Sequence, residues 1–163
     1  MAFTGTTVFT NRNAVVPDTT YHSHLTKETA RFLRGKGYQV VEKSGLTDLH
    51  GGKVQMLIEL VPRQAYEAIR TRGYGIYQRS FMGVSQGPQS YVAMNIRPIT
   101  QESELGFHVF YLENYEPLSI DELPRSWENV TSAQRKEMDL SLRSNISETT
   151  HKLMGKLGLP SRK

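Results

Sequence analysis

Tyr74-Gly75-Ile76-Tyr77-Gln78-Arg79-Ser80-Phe81-Met82-Gly83-Val84-Ser85-Gln86-Gly87-Pro88-Gln89-Ser90-Tyr91-Val92-Ala93-Met94-Asn95-Ile96-Arg97-Pro98 is the stretch that decides the fold. Its two halves alternate with a period of two, the pattern of half-buried strands. They predict strands at about 74–84 and 90–98, joined through Ser85 to Gln89, a connection that holds both Gly87 and Pro88. In the second strand Val92, Met94 and Ile96 point one way, and Tyr91, Asn95 and Arg97 point the other. In the first, Tyr77, Arg79 and Phe81 share a side with Gly75 and Gly83. So short a connection makes the pair antiparallel, because parallel strands need a long crossover.

Working outward, Lys53 to Val61 alternates in the same way, with Val54, Met56, Ile58 and Leu60 on one side. Pro62 suits the first position of a helix, which predicts a short helix over 62–72 with Ala65, Ala68 and Ile69 inward and Gly73 closing it. Further upstream, Leu25, Thr29, Phe32 and Leu33 fall on one helical face, so a first helix is expected from about Ser23 to Arg34. Tyr38 to Glu42 reads as a strand and Ser44 to Gly52 as a loop. Downstream, an acidic turn at Gln101 to Gly106 leads to a last strand at 107–113. Residues 114–130 read as irregular, with one turn of helix starting at Ser119.

The C-terminus carries the clearest helical signal. Thr131-Ser132-Ala133-Gln134 is a capping box, and Met138, Leu142, Ile146, Thr149, Leu153 and Leu157 form a continuous stripe. The helix should stop near Gly155 or Gly158, before Pro160. Together these elements predict an α+β fold. It is a single domain with an antiparallel sheet of about five strands, two short helices and a long C-terminal amphipathic helix. Residues 1–20 are the extended N-terminal arm or an edge strand. Residues 21–163 are the domain proper, with an acidic region at 99–130 and the closing helix at about 131–157.

A chain of 163 residues can bury a core without covalent staples. It has no cysteine, which excludes disulfides, thiolate zinc sites, iron–sulfur clusters and cysteine nucleophiles. No apolar run approaches the roughly 18–20 residues that span a bilayer. Met1-Ala2-Phe3-Thr4-Gly5-Thr6 has neither the basic start nor the apolar core of a secretory signal. The expectation is an intracellular protein, cytoplasmic or held within a viral assembly, with no membrane partner. Charge is unevenly spread. Residues 1–98 hold 12 Lys/Arg against 6 Asp/Glu, residues 99–130 hold 1 against 7, and residues 131–163 hold 7 against 3. A basic face and a separate acidic face follow. Glu102, Glu104, Glu113 and Glu116 read as a solvated acidic rim.

If the apolar sides of the central hairpin face the core, its other side carries Tyr77, Phe81, Tyr91, Arg79 and Arg97. Arg70 and Arg72 end the preceding helix nearby. Aromatic rings stack on bases and arginines neutralise phosphates, which is how many single-strand binders work. This predicts a non-enzymatic nucleic-acid-binding protein that holds single strands on a basic, aromatic sheet face, with no cofactor. The string Arg72-Gly73-Tyr74-Gly75 resembles the opening of the RNA-recognition-motif signature. It departs from it at Ile76 and Arg79, where that signature has aromatics, and it follows a helix instead of a strand, so it assigns no family.

Two other classes remain open. The Thr/Asn-rich arm, the apolar stripe of the last helix and the opposed charges suit a subunit of a homo-oligomeric or virion-like assembly. Alternatively, His22, His24, Asp48 and His50 offer a mixed His/Asp metal set. His24-Leu25-Thr26 has the form of half a two-histidine phosphoesterase dyad, but the other strand-borne histidine reads His108-Val109-Phe110 and lacks the hydroxyl. No catalytic or metal residue is assigned on this basis.

Overall fold

The computed structural model describes residues 5–10, 18–41, 51–52, 54–65, 73–81, 84–100 and 109–162. In chain order the elements are β1 (Gly5–Thr10), α1 (Asp18–Gly35), β2 (Leu57–Pro62), β3 (Tyr74–Phe81), β4 (Val84–Ser85), β5 (Gln89–Ile99) and β6 (Phe110–Pro117). A single 3-10 turn at Trp127–Asn129 precedes α2 (Ser132–Lys156). All strand pairs are antiparallel, in the order β1-β3-β5-β2, with the two-residue β4 on β3 and β6 on β5. The described residues thus form one antiparallel sheet carrying two helices, the α+β class that the alternation and the C-terminal stripe predict. Among the described residues no helix is long and apolar enough to cross a membrane.

β5 is the hub. β6 lies along one of its edges, from Gln89↔Pro117 to Ile96↔Phe110. Its other edge is shared end to end: β3 takes 89–92 and β2 takes 94–99. Between them the chain leaves β5 at Arg63 and returns at Gly73. The neck of this excursion is closed by three backbone bonds: Arg63 N–H to the Ala93 carbonyl (2.9 Å), Gly73 N–H to the Arg63 carbonyl (2.8 Å) and Ala93 N–H to the Gly73 carbonyl (2.7 Å). Gly73 sits at φ +84, and a Cβ there would approach the Pro62 side chain at 3.3 Å, so glycine is required. The helix expected over 62–72 is corrected in its described part. Pro62 ends β2, opposite Met94, and Arg63 to Ala65 are not helical. Proline is tolerated there because its missing N–H falls on a strand end. Residues 66–72 lie outside the described residues.

One face of the sheet receives both helices. Tyr74, Ile76, Val92, Met94 and Ile96 are buried under Met138, Leu142, Ile146, Leu153 and Met154 of α2 and Tyr21, Leu25 and Leu33 of α1. The predicted stripe of α2 is this buried face, with Leu157 packed only partly. The capping box forms: the Thr131 hydroxyl accepts from the Gln134 N–H (3.2 Å), and the Gln134 side chain accepts from the Thr131 N–H (2.9 Å). α1 starts earlier than the capping residues suggest, at Asp18, so that Tyr21 stacks on Tyr74 with ring centroids 3.9 Å apart.

Residues 5–10 form β1, paired with β3. Several boundaries differ from the sequence reading. β2 starts at Leu57, and Val54 to Met56 are not in a strand. The last strand is 110–117 and not 107–113, because Leu112 and Asn114 pair opposite Met94 and Val92. No helix forms at Ser119 to Glu122; the 3-10 turn comes later. Residues 38–41 form no strand, and the C-terminal tail is bonded beside them. Arg162 N–H donates to the Lys36 carbonyl (2.7 Å), Lys36 Nζ to the Leu159 carbonyl (2.9 Å) and the Tyr38 hydroxyl to the Pro160 carbonyl (3.0 Å).

That tail explains Gly37, which has φ +85 and would place a Cβ 2.2 Å from the Arg162 carbonyl oxygen. Gly37→Ala is therefore expected to destabilise the protein by about 1–3 kcal/mol. Gly35→Ala, where a Cβ meets nothing within 4 Å, should leave stability unchanged or slightly raised. Thermal denaturation of the two variants checks the pair.

Candidate nucleic-acid interface

The face of the sheet away from the helices is the one that the sequence reading offered to nucleic acid. Tyr77 and Tyr91 lie on this face, but they are not exposed on it. Tyr77 is 3% exposed and Tyr91 is fully buried. They pack with Ala65, Ala93 and Tyr115, the Tyr77 ring lying 6.1 Å from Tyr91 and 5.3 Å from Tyr115, both edge-on. The Tyr77 hydroxyl donates to Gln89 Oε1 (3.2 Å). Among the described residues, two of these neighbours are long-range returns that alternation cannot reveal: Ala65, on the rim of the β2–β3 excursion, and Tyr115, on β6. Rings held this way present no face on which a base can stack.

The remaining predicted residues of this face divide. Arg79 is exposed, in register with Thr6 of β1. Arg97 is half-exposed and ion-paired with Glu59, its Nε and Nη2 at 2.8 and 2.7 Å from one carboxylate oxygen. Phe81 ends β3 opposite Val84, with its side chain outside the described residues, as are Arg70 and Arg72 entirely. Arg63 joins the face: it donates to the Asn95 amide oxygen at 2.7 and 2.9 Å, once that amide is turned to oppose donor with acceptor. Glu113 accepts from the hydroxyls of Tyr111 and Tyr115, so it is engaged by the tyrosine cluster and is no part of a solvated rim.

Of the histidine constellations weighed from the sequence, only His22 and His24 lie among the described residues. His22 and His24 project from α1 about 200° apart. His24 Nε2 lies 3.2 Å from the Arg143 carbonyl and 3.0 Å from Ser147 Oγ. A carbonyl only accepts, so this nitrogen carries a hydrogen and donates to both; it cannot take a proton from Ser147. Asp48, His50 and His108 lie outside the described residues. Among the described residues no group of three or more His, Asp or Glu is placed to hold a metal ion.

A more strongly cationic surface lies on α1. Lys27, Arg31 and Arg34 fall at i, i+4 and i+7, within about 60° of one another and along roughly 10 Å of helix axis. All three are exposed, and the Arg31 side chain is 69% exposed. The opposite side of α1 is spent on the core through Tyr21, Leu25 and Leu33. Lys36, just past the helix end, has its ammonium 5.6 Å from the Phe32 ring and bonded to the Leu159 carbonyl (2.9 Å), and the Arg162 guanidinium lies 4.6 Å from the Tyr38 ring. Of the two acids of α1, Asp18 stands at its start, and Glu28 points into the seam with α2 with its side chain only 9% exposed.

Glu28 holds this seam together. Its carboxylate meets Arg31 Nη1 at 3.0 Å and His151 Nε2 of α2 at 3.2 Å. Burial pushes its pKa up, but the hydrogen bond and charge of Arg31, together with His24 and His151, outweigh burial and hold it below the ordinary 4.5. The sequence reading counted these cations in the charge of residues 1–98 without giving them a face. The helical wheel of α1, read for charge instead of apolarity, contains the signal.

A folded pKa below the unfolded one stabilises the protein above the unfolded value, and that contribution is lost as pH falls through the folded value. The wild type should therefore lose thermal stability below about pH 4.5, and Glu28→Gln should lack that increment of acid loss. Near neutrality Glu28→Gln should be less stable than wild type by roughly 1 kcal/mol. Melting curves from neutral to acid pH check both.

Comparison with known proteins finds no matching family model, no matching curated protein and no matching solved structure.

Proposed function

We propose that the protein is a non-enzymatic nucleic-acid-binding protein that grips the phosphate backbone and does not stack bases. The observation that carries this reading is the exposed row Lys27, Arg31 and Arg34 on α1, whose only acidic neighbour within the row, Glu28, is turned into the α1–α2 seam. Arg79 and Arg63 add positive charge on the sheet side. Cations spaced along a rigid helix neutralise successive phosphates and release their counterions, which makes affinity fall with salt. Burial of Tyr77 and Tyr91 removes the rings that base-stacking recognition of single strands would use.

Binding measured by fluorescence anisotropy over a salt series tests the reading. The wild type should bind a labelled oligonucleotide at low salt and lose affinity steeply as salt rises. The triple variant Lys27→Gln, Arg31→Gln, Arg34→Gln should bind at least about tenfold more weakly, with a salt slope shallower by about 2–3. An oligonucleotide of equal length with abasic sites should bind about as well as one with bases. No binding at low salt, or an affinity indifferent to salt, rejects the proposal.

A second reading, a subunit of a homo-oligomeric assembly, is favoured by one observation. β1 pairs only with β3 among the described strands, so its outer backbone edge is a template for another strand. The stripe of α2 does not serve this reading, because it is buried in its own core. The edge of β6 is guarded by Lys156, whose ammonium bonds the Tyr111 carbonyl (3.1 Å). Light scattering after size exclusion decides the matter: a monomer at high concentration counts against assembly.

A further inference from the structure

Three contacts across the helix seam each join residues 123 apart: His24 to Ser147, Glu28 to His151 and Lys36 to Leu159. A constant difference means that α1 and α2 lie side by side in the same direction, so Glu28 and His151 stand at one level. Exposure there is unequal. The Glu28 side chain is only 9% exposed, against 45% for His151 and 69% for Arg31. Glu28 Oε1 accepts from Arg31 Nη1 at 3.0 Å. Glu28 Oε2 is buried without a hydrogen bond, although His151 Nε2 stands 3.2 Å away. The imidazole is near enough to balance the charge of the carboxylate but is not aligned to donate to it.

We propose, resting on the nucleic-acid reading above, that His151 gates the α1 row: once protonated it takes over Glu28 and releases Arg31 to a phosphate of the ligand. With His151 neutral, Arg31 is the cation that holds Glu28, and a phosphate must compete with that carboxylate for it. Drawing Arg31 away would strip a buried, ionised carboxyl of its closest cation, which is strongly unfavourable. Arg31, long and exposed, can turn outward; Glu28 cannot follow it into water. A proton taken from solvent onto His151 supplies the replacement charge. A turn of the half-exposed ring then lets its N–H donate to the open Oε2. Protonation thus adds one positive charge beside the row and frees a second.

The charged groups around this point come from both helices. On α1, His24 stands one turn before Glu28, with Nε2 bonded to the Arg143 carbonyl and Ser147 Oγ. Burial pushes the Glu28 carboxyl up, but Arg31, then His24 and His151, hold it below its ordinary 4.5, so it is ionised near neutrality. Lys27 and Arg34 flank Arg31 in the row, and Lys36 is bonded to the Leu159 carbonyl of the tail. On α2, Glu148 and Lys152 beside His151 pair with each other, and Arg143 pairs with Asp139 at 2.8 Å. The Phe32 ring lies 5.8 Å from the imidazole. Histidine is the side chain that changes charge between about pH 5 and about pH 8, whereas phosphodiesters stay singly charged there. Acid therefore favours the released Arg31 and strengthens binding, and by linkage binding takes up a proton.

The test is anisotropy titration of the full chain with a labelled oligonucleotide lacking terminal phosphates, at constant low salt, from about pH 5.5 to about pH 8. The wild type should bind roughly fivefold or more tightly at the acid end. His151→Gln should lose most of that rise, and His22→Gln should keep it. Glu28→Gln no longer holds Arg31, so it should bind more tightly than wild type at the alkaline end and vary little with pH. Calorimetry in buffers of different ionisation heat should show net proton uptake when the wild type binds near neutrality, and none for His151→Gln. Binding that is indifferent to pH, or His151→Gln with the wild-type slope, overturns the gate and leaves the nucleic-acid reading standing. No binding at low salt at any pH overturns both.

Discussion

The fold depends on the burial of β5 on both of its faces. Ser90 to Ile96 are buried without interruption, although their side chains alternate between the helix side and the reverse side. β5 also has neighbours on both edges, with β6 on one and β3 followed by β2 on the other. A strand in that position has no solvated face. On one side Val92, Met94 and Ile96 are sealed by α2; on the other Tyr91 and Ala93 are sealed by Ala65, Tyr77 and Tyr115. The burial of the tyrosines is thus a consequence of where β5 stands in the sheet.

The placement of α2 over β5 and β6 rests on two kinds of contact that do different work. The stripe Met138, Leu142, Ile146 and Leu153 removes apolar surface from water but is tolerant of sliding, since a shift along the helix would still bury apolar atoms. Asn145 is not tolerant. Its bonds to Ser90, Asn114 and Thr149, with Ser141 bonded to Ser90 at 2.9 Å, would be lost together by a shift of one turn. A buried amide without partners is costly, so the polar seam selects one register that the apolar stripe then holds.

The same placement decides where positive charge is displayed. With α1 packed beside α2, its carboxylate Glu28 is drawn into the seam by Arg31 and His151, and its cations are turned to water. The reverse face of the sheet, which looked cationic by composition, has part of its charge neutralised locally, Arg97 by Glu59. Glu113 of β6 is drawn into the structure as well, by two tyrosines.

Local periodicity carried a good deal of this. The capping box at Thr131, the stripe of α2, the core side of α1 and the two faces of the 74–98 hairpin are all set within windows of a few turns or strand residues, and each is present as the pattern implies. Which side of the hairpin the helices cover was left open by the alternation, and the structure places them over Val92, Met94 and Ile96. What the pattern could not contain is which surfaces other parts of the chain return to cover. Pro62 looks like a helix start until β2 is seen paired through it to Met94. Residues 38–41 look like a strand until the tail at Arg162 is found beside them. Tyr77 and Tyr91 look exposed until Ala65 and Tyr115 arrive from elsewhere in the chain. The amino-acid sequence by itself determined the elements, their amphipathic faces and the α+β class, because those depend on near neighbours. Only the tertiary structure decided which rings are buried and which cations lie exposed, because burial is a property of contacts between residues distant along the chain.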